Sequence, residues 1–204
     1  MKQFLRRGGL LAVLLGLASF DCAQDKQKDA TPAPVNAEEM AKALDDAMTP
    51  GEGQRRLEVM VGTFDAKILT WVDPSQPPYE TTGTSVNSWV LGNRFVHMTL
   101  DWSIMGEPYS GIGYFGFNNV SKMYESTWMD NGYTGIVSFQ GTFDASTGGT
   151  MKATAPHPLT GKPSPLELRV ATDSQGNHVT ELWGSGFGET MYKMMELRYT
   201  RRNQ

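Results

Sequence analysis

The chain has 204 residues with 22 acidic and 18 basic side chains, a formal charge of −4, and no lysine or arginine cluster of the kind that binds phosphate backbones, so nucleic acid is excluded as a partner. Its one cysteine, Cys22, rules out a disulfide within the chain and a structural zinc site built on several thiolates. The length suffices for one substantial domain once the terminal segments are set aside.

Lys2, Arg6 and Arg7, followed by the apolar run Leu10 to Leu17 and Ala18, read as an export signal over residues 1–22, too short to serve as a stable span. Gly16-Leu17-Ala18 suits an ordinary signal peptidase, whereas Cys22 stands where a bacterial lipoprotein carries its lipid. Asp21 is a poor match to the small residue of a lipobox, and the two readings stay open. The expectation is a periplasmic or secreted protein, with membrane contact only through a lipid on Cys22. Removing a segment that holds Lys2, Arg6, Arg7 and Asp21 leaves the rest more acidic, which serves solubility.

Residues 23–36 are polar, charged and proline-bearing, with too little apolar content to offset ordering entropy, and read as a flexible tether. Asn36 and Glu39 have the spacing of a capping box, opening a peripheral helix with Met40, Ala43, Leu44 and Ala47 on one face. Thr49-Pro50-Gly51-Glu52 supplies a second start, with threonine as cap and proline at the first helical position. Its two turns would bury Leu57, Met60 and Val61, stop at Gly62 and cover one barrel mouth. The helical segment is thus 37–61 and the β domain 62–204.

From Thr63 onward ten strands are predicted, near 63–72, 80–91, 94–102, 110–118, 122–130, 134–143, 149–155, 165–172, 178–186 and 190–200. The plainest is the hairpin of Tyr114 to Asp130, two alternating aromatic-rich runs around Asn118-Asn119. Short connections favour antiparallel neighbours, and a meander of this length must close or stack to bury its apolar face. The fold class is therefore all-β: a lipocalin-like antiparallel barrel of about ten strands behind one or two short helices.

Alternation then sorts side chains by face. Val96, Met98, Leu100 and Trp102 share one face of the third strand, and His97 and Asp101 the other. Ile112 with Tyr114, and Tyr124 with Ser126 and Trp128, are taken as inward. The later inward sets are Leu166, Leu168 and Val170, then Val179, Glu181 and Trp183, then Met191, Met195, Leu197 and Tyr199.

Several of these segments resemble the domain of unknown function 1579 family, small bacterial proteins that are often exported. The resemblance runs from about Thr49 to Arg201 and rests on Pro50, Leu57, Val61-Gly62-Thr63-Phe64, Leu91-Gly92-Asn93-Arg94-Phe95, Met105-Gly106, Gly111-Ile112-Gly113, the hairpin above, and Glu196 with Tyr199-Thr200-Arg201. The chain departs from the family pattern at Phe64, Asn93 and Asn118, where tryptophan, glycine and aspartate are commoner, and at Gln54, where histidine is frequent. Gly62-Thr63-Phe64 with a terminal arginine also resembles a degenerate calycin signature. It implies a barrel whose base is closed by Phe64 under Arg198 or Arg201, and implies no activity.

Chemistry-bearing residues are sparse. His157 and His178, beside Pro156, Pro158 and Asn177, look solvated, and His97 falls on the exterior face without a second ligand at metal spacing. Gly184-Ser185-Gly186 lacks the nucleophile-elbow pentapeptide. Glu181 and Glu196 are a candidate carboxylate pair, more simply read as ion-paired to Arg94, Lys193 or Arg198. Gly111, Gly113 and Gly116 lie inside a strand with no helix after it, which makes them close-packing positions, not a dinucleotide fingerprint.

Three readings follow. In the first, the barrel binds a small hydrophobic or amphipathic ligand, lined by Trp102, Tyr114, Tyr124, Trp128 and Trp183 with Arg94 and Glu181, and needs no metal or other cofactor. In the second, the barrel is filled and its strands or loops contact another envelope protein. The third is an enzyme using Glu181, Arg94 or His97.

Overall fold

The structure, a computed structural model, describes residues 36–104 and 106–202; the export signal, Cys22 and the tether up to residue 35 lie outside the described residues. The described residues from Ala37 onward form one compact unit.

Helix α1 (Ala37–Met48) buries none of its residues, so its Met40 and Leu44 face stays exposed, as a peripheral helix would. Helix α2 (Glu52–Arg55) is a single turn that passes into a 3-10 helix at Arg56–Met60. Its cap is Gly51, not Thr49: the Gly51 N–H donates to Gln54 Oε1 at 2.7 Å, while Thr49 Oγ1 bonds back to Asp45. The start slips because Gln54, almost fully buried, is held in place by donating to the Phe117 carbonyl (2.9 Å) and to Asn119 Oδ1. A tertiary contact thus chooses the cap over the local signal.

Ten strands follow: β1 (Gly62–Thr70), β2 (Tyr79–Val90), β3 (Phe95–Ile104), β4 (Glu107–Asn118), β5 (Met123–Asp130), β6 (Val137–Asp144), β7 (Gly148–Pro156), β8 (Pro163–Thr172), β9 (His178–Gly184) and β10 (Tyr192–Arg201). Each pairs antiparallel with its sequence neighbour, and β10 returns to β1 to close the barrel. Closure leaves no edge strand open for pairing. In β1, Phe64, Ala66 and Ile68 point in while Asp65 and Lys67 point out, the alternation that a strand with one wet face requires.

Two apolar clusters lie in opposite parts of the interior. At the base, Leu57 and Met60 of the 3-10 helix pack with Val96, Phe115, Tyr124 and Phe143, so the helical segment plugs that end. Arg201 fastens it: its guanidinium donates to the Val59 and Val61 carbonyls and lies 4.8 Å over the Phe64 ring. Of the two arginines that could close the base, Arg201 does so; Arg198 sits on the outer face with Glu196. Toward the other end, Ala66, Ile68, Leu100, Trp102 and Leu197 form the second cluster.

Candidate functional site: the barrel interior

The interior is hollow above the base, with a cavity of about 450 Å³ that reaches loop residues Tyr133, His157 and Phe187 at the end opposite the helices. Ten strands make a wider barrel than the eight whose side chains just fill the lumen. Small residues at inward positions, among them Ala66, Ser85, Ser126 and Thr180, withhold the volume that would otherwise close it. The mouth lies between the β5–β6, β7–β8 and β9–β10 loops, and its rim exposes Tyr133, Ile136, Leu159 and Phe187.

The lining is mostly apolar, with Met98, Leu100, Trp102, Leu166, Leu168 and Leu182 along the walls. Trp128 lies across the inward positions of Gly111 and Gly113, where any Cβ would collide with its indole. These glycines are thus close-packing positions, and Gly116 on the outer face gives the same room to the Phe95 ring. Trp128 Nε1 donates to Asp130 Oδ2 at 3.0 Å, near the mouth. Trp102 stacks at a tilt on Tyr109 (5.4 Å) and faces Trp128 (6.5 Å).

A polar band crosses the cavity. Ser85 Oγ donates to the Thr99 carbonyl at 2.7 Å and sits 2.8 Å from Asn87 Oδ1. Asn87 Nδ2 in turn donates to the Met60 carbonyl at 2.8 Å, tying the wall to the plug. His178, 3% exposed, stacks on Tyr199 at 4.3 Å and meets the Phe64 edge at 4.9 Å. Among the described residues, His178 Nδ1 and Trp102 Nε1 are buried with no hydrogen-bond partner, a rare state for polar atoms in a folded interior. Both residues line the cavity.

Burial pulls the His178 pKa down to about 4, and nearby Arg201 adds to the depression while the Gly176 backbone and Asp173 oppose it. The ring is therefore neutral at pH 7. Burial pushes the Tyr199 phenol upward, so it stays protonated as well.

Of the residues read from sequence as a ligand lining, Trp102 and Trp128 do line the cavity. Tyr124 is inward, but its ring belongs to the basal cluster with Phe115 and Phe143, and its hydroxyl donates to the Gly53 carbonyl at 3.1 Å. Tyr114 points outward and packs on His97 at 5.1 Å. Trp183 and Glu181 are also outside, since β9 turns His178, Thr180 and Leu182 inward and thereby Val179, Glu181 and Trp183 outward. The indole of Trp183 takes Arg169 over its face at 4.2 Å and donates to Glu181 Oε2 at 2.9 Å. Arg94 lies at the β2–β3 turn, donating to the carbonyls of Leu91, Gly92 and Met48. Inward expectation failed on β4 and β9 because both faces of each strand carry apolar or aromatic residues, so alternation gives two admissible parities. The β3, β5 and β8 sets stand as read.

The carboxylates Glu181 and Glu196 come together only on the outer face, around Lys193. Burial raises the Glu196 pKa, but Lys193 and Arg198 outweigh it and hold the carboxyl below its usual value, the pattern of a structural ion pair. Sequence reading missed His178, which looked like a turn residue beside Asn177. Its signal is the β10 register: Tyr199 pairs with His178, so an inward Tyr199 brings the histidine with it. Among the described residues no His, Cys, Asp and Glu group has metal-binding geometry.

A family model described as a protein of unknown function (DUF1579) matches residues 49–201, and the chain belongs to that family. Among solved structures, the crystal structure of Rv2717c from M. tuberculosis aligns with a TM-score of 0.57 at 16% identity, covering 76% of this chain and all of that one. At that identity the likeness speaks for the barrel fold alone. No curated protein matches the chain.

Proposed function

We propose that this member of a family of unknown function is a binding module that takes one small hydrophobic or amphipathic molecule into its barrel. The observation that carries the reading is the cavity of about 450 Å³ with a largely apolar wall, a volume and character usual for ligand sites. A cavity of that size in a closed barrel costs packing energy that a filled core would recover, and a ligand offsets it. The export signal read over residues 1–22 supports a module that works outside the cytoplasm, as a periplasmic, secreted or, through Cys22, lipid-anchored protein. The interaction-module reading would draw support from an exposed edge strand or a filled barrel, and the closed ladder and the cavity offer neither.

The test is native followed by denaturing mass spectrometry of the protein from its own host, beside the variant Ala155→Trp. Ala155 lies on the cavity wall next to the mouth, where an indole would fill space. A small-molecule adduct on the parent protein that is lost on unfolding and absent from Ala155→Trp is the expected result. An adduct that persists in the plugged variant, or none on either protein under conditions where the fold is intact, would overturn the reading.

A further inference from the structure

The charges around the cavity limit what it can hold. Among the described lining residues there is no lysine or arginine, and Asp130 at the mouth is the one formally charged group. The basic residues nearest the barrel wall are committed elsewhere. Arg201 lies over the Phe64 ring at the base and is spent on the Val59 and Val61 carbonyls, Lys193 and Arg198 hold Glu196 on the outer face, and Arg169 pairs with Glu167. Of the two histidines in the lining, His178 is buried between Tyr199 and Phe64. His157 at the mouth accepts the Leu159 N–H on Nδ1 and sets Nε2 against the Gly188 carbonyl at 3.3 Å, so both ring nitrogens are engaged by the backbone.

We infer that the cavity selects uncharged ligands and rejects organic anions, its occupant being a neutral molecule with an extended apolar body and a hydrogen-bonding oxygen or nitrogen. This rests on the cavity-binding reading above. A carboxylate or sulfonate entering the lumen would leave its hydration shell and find no cation, a desolvation loss with no Coulombic return. Asp130 would add like-charge repulsion at the entrance. The interior does offer neutral partners: Ser85 and Asn87 in the polar band, and Thr180, whose hydroxyl can donate. One neutral acceptor, such as a carbonyl, ether or hydroxyl oxygen, matches such groups without importing charge.

The experiment compares two fluorescent probes that share a scaffold, N-phenylnaphthylamine and anilinonaphthalene sulfonate, which differ by the sulfonate. Fluorescence titrations are run at pH 7 on the parent protein, on Ala155→Trp, and on Met195→Lys. Met195 lines the cavity on β10, and a lysine there keeps its alkyl stem on the wall while supplying the missing cation. The neutral probe is expected to bind at least ~10-fold more tightly to the parent, with the gap narrowing by ~10-fold in Met195→Lys through gain of sulfonate affinity. Equal or tighter binding of the sulfonate to the parent would overturn the charge selectivity while leaving the cavity reading in place, provided that Ala155→Trp abolishes both signals. A gap unchanged in a folded Met195→Lys would also overturn it, since the preference would then owe nothing to the absent cation. If neither probe binds the parent, the cavity reading falls and this inference with it.

Discussion

Acidification from pH 7 to 4.5 should destabilise the protein chiefly through His178. The folded-state pKa of about 4 lies below the ordinary value of 6.5, so the unfolded chain takes up the proton first. Stability from this group is complete above about pH 6.5, declines as pH falls through the gap, and is fully lost below about pH 4. A gap of about 2.5 at ~1.4 kcal/mol per pH step gives ~3 kcal/mol in all, of which ~2.5 kcal/mol is gone by pH 4.5. Carboxylates held below their usual values add a smaller loss near the end of this window, Glu52 and Glu196 first, while Asp144 at about 2 and Asp173 lose most of their contributions at lower pH. Urea unfolding at the two pH values measures the loss, and in a domain of this size it corresponds to a drop in Tm of about 5–10 °C. His178→Phe keeps an aromatic ring against Tyr199 and Phe64 and removes the titration. The variant should lose less than half as much as the parent over the same window, the remainder coming from the carboxylates. If it loses as much as the parent, the histidine is not buried in its neutral form and the placement of β9 is wrong.

Two further substitutions probe the packing that shapes the cavity. Gly111→Ala would drive a methyl group into the Trp128 indole; a loss of about 1–3 kcal/mol in urea unfolding is expected, with a shift in tryptophan emission as the ring leaves Asp130. Arg201→Met removes both hydrogen bonds to the Val59 and Val61 carbonyls and the cation over Phe64. It should cost about 2–4 kcal/mol and raise hydrogen exchange at residues 56–61 before the strands, as the plug comes loose first.

Much of the architecture was legible in the sequence. Ten strand candidates, their breakers and their short connections are local properties, and each lies within a few residues of an observed strand. Strands with one apolar face declared their inward side: Val96, Met98, Leu100 and Trp102 on β3 have polar or small neighbours at most intervening positions, so one parity buries far more apolar area than the other. Phe64 and a terminal arginine were legible as the closing pair through the resemblance, and Arg201 fills that role.

What lay beyond local pattern was decided by packing. On β9 the sequence His178 to Gly184 offers Val179 and Trp183 on one face and Leu182 on the other; only pairing with β8 and β10 selects between them. Trp183 can stay outside because Arg169 covers its face, a cation–π contact between strands that no single-strand pattern contains. The alternation of ten short segments therefore determined a closed antiparallel barrel. Whether its lumen is solid or hollow, and whether any charge lies inside, was set by the tertiary structure, because cavity volume is the small difference between the space that ten tilted strands enclose and the summed volume of whichever side chains their mutual register turns inward.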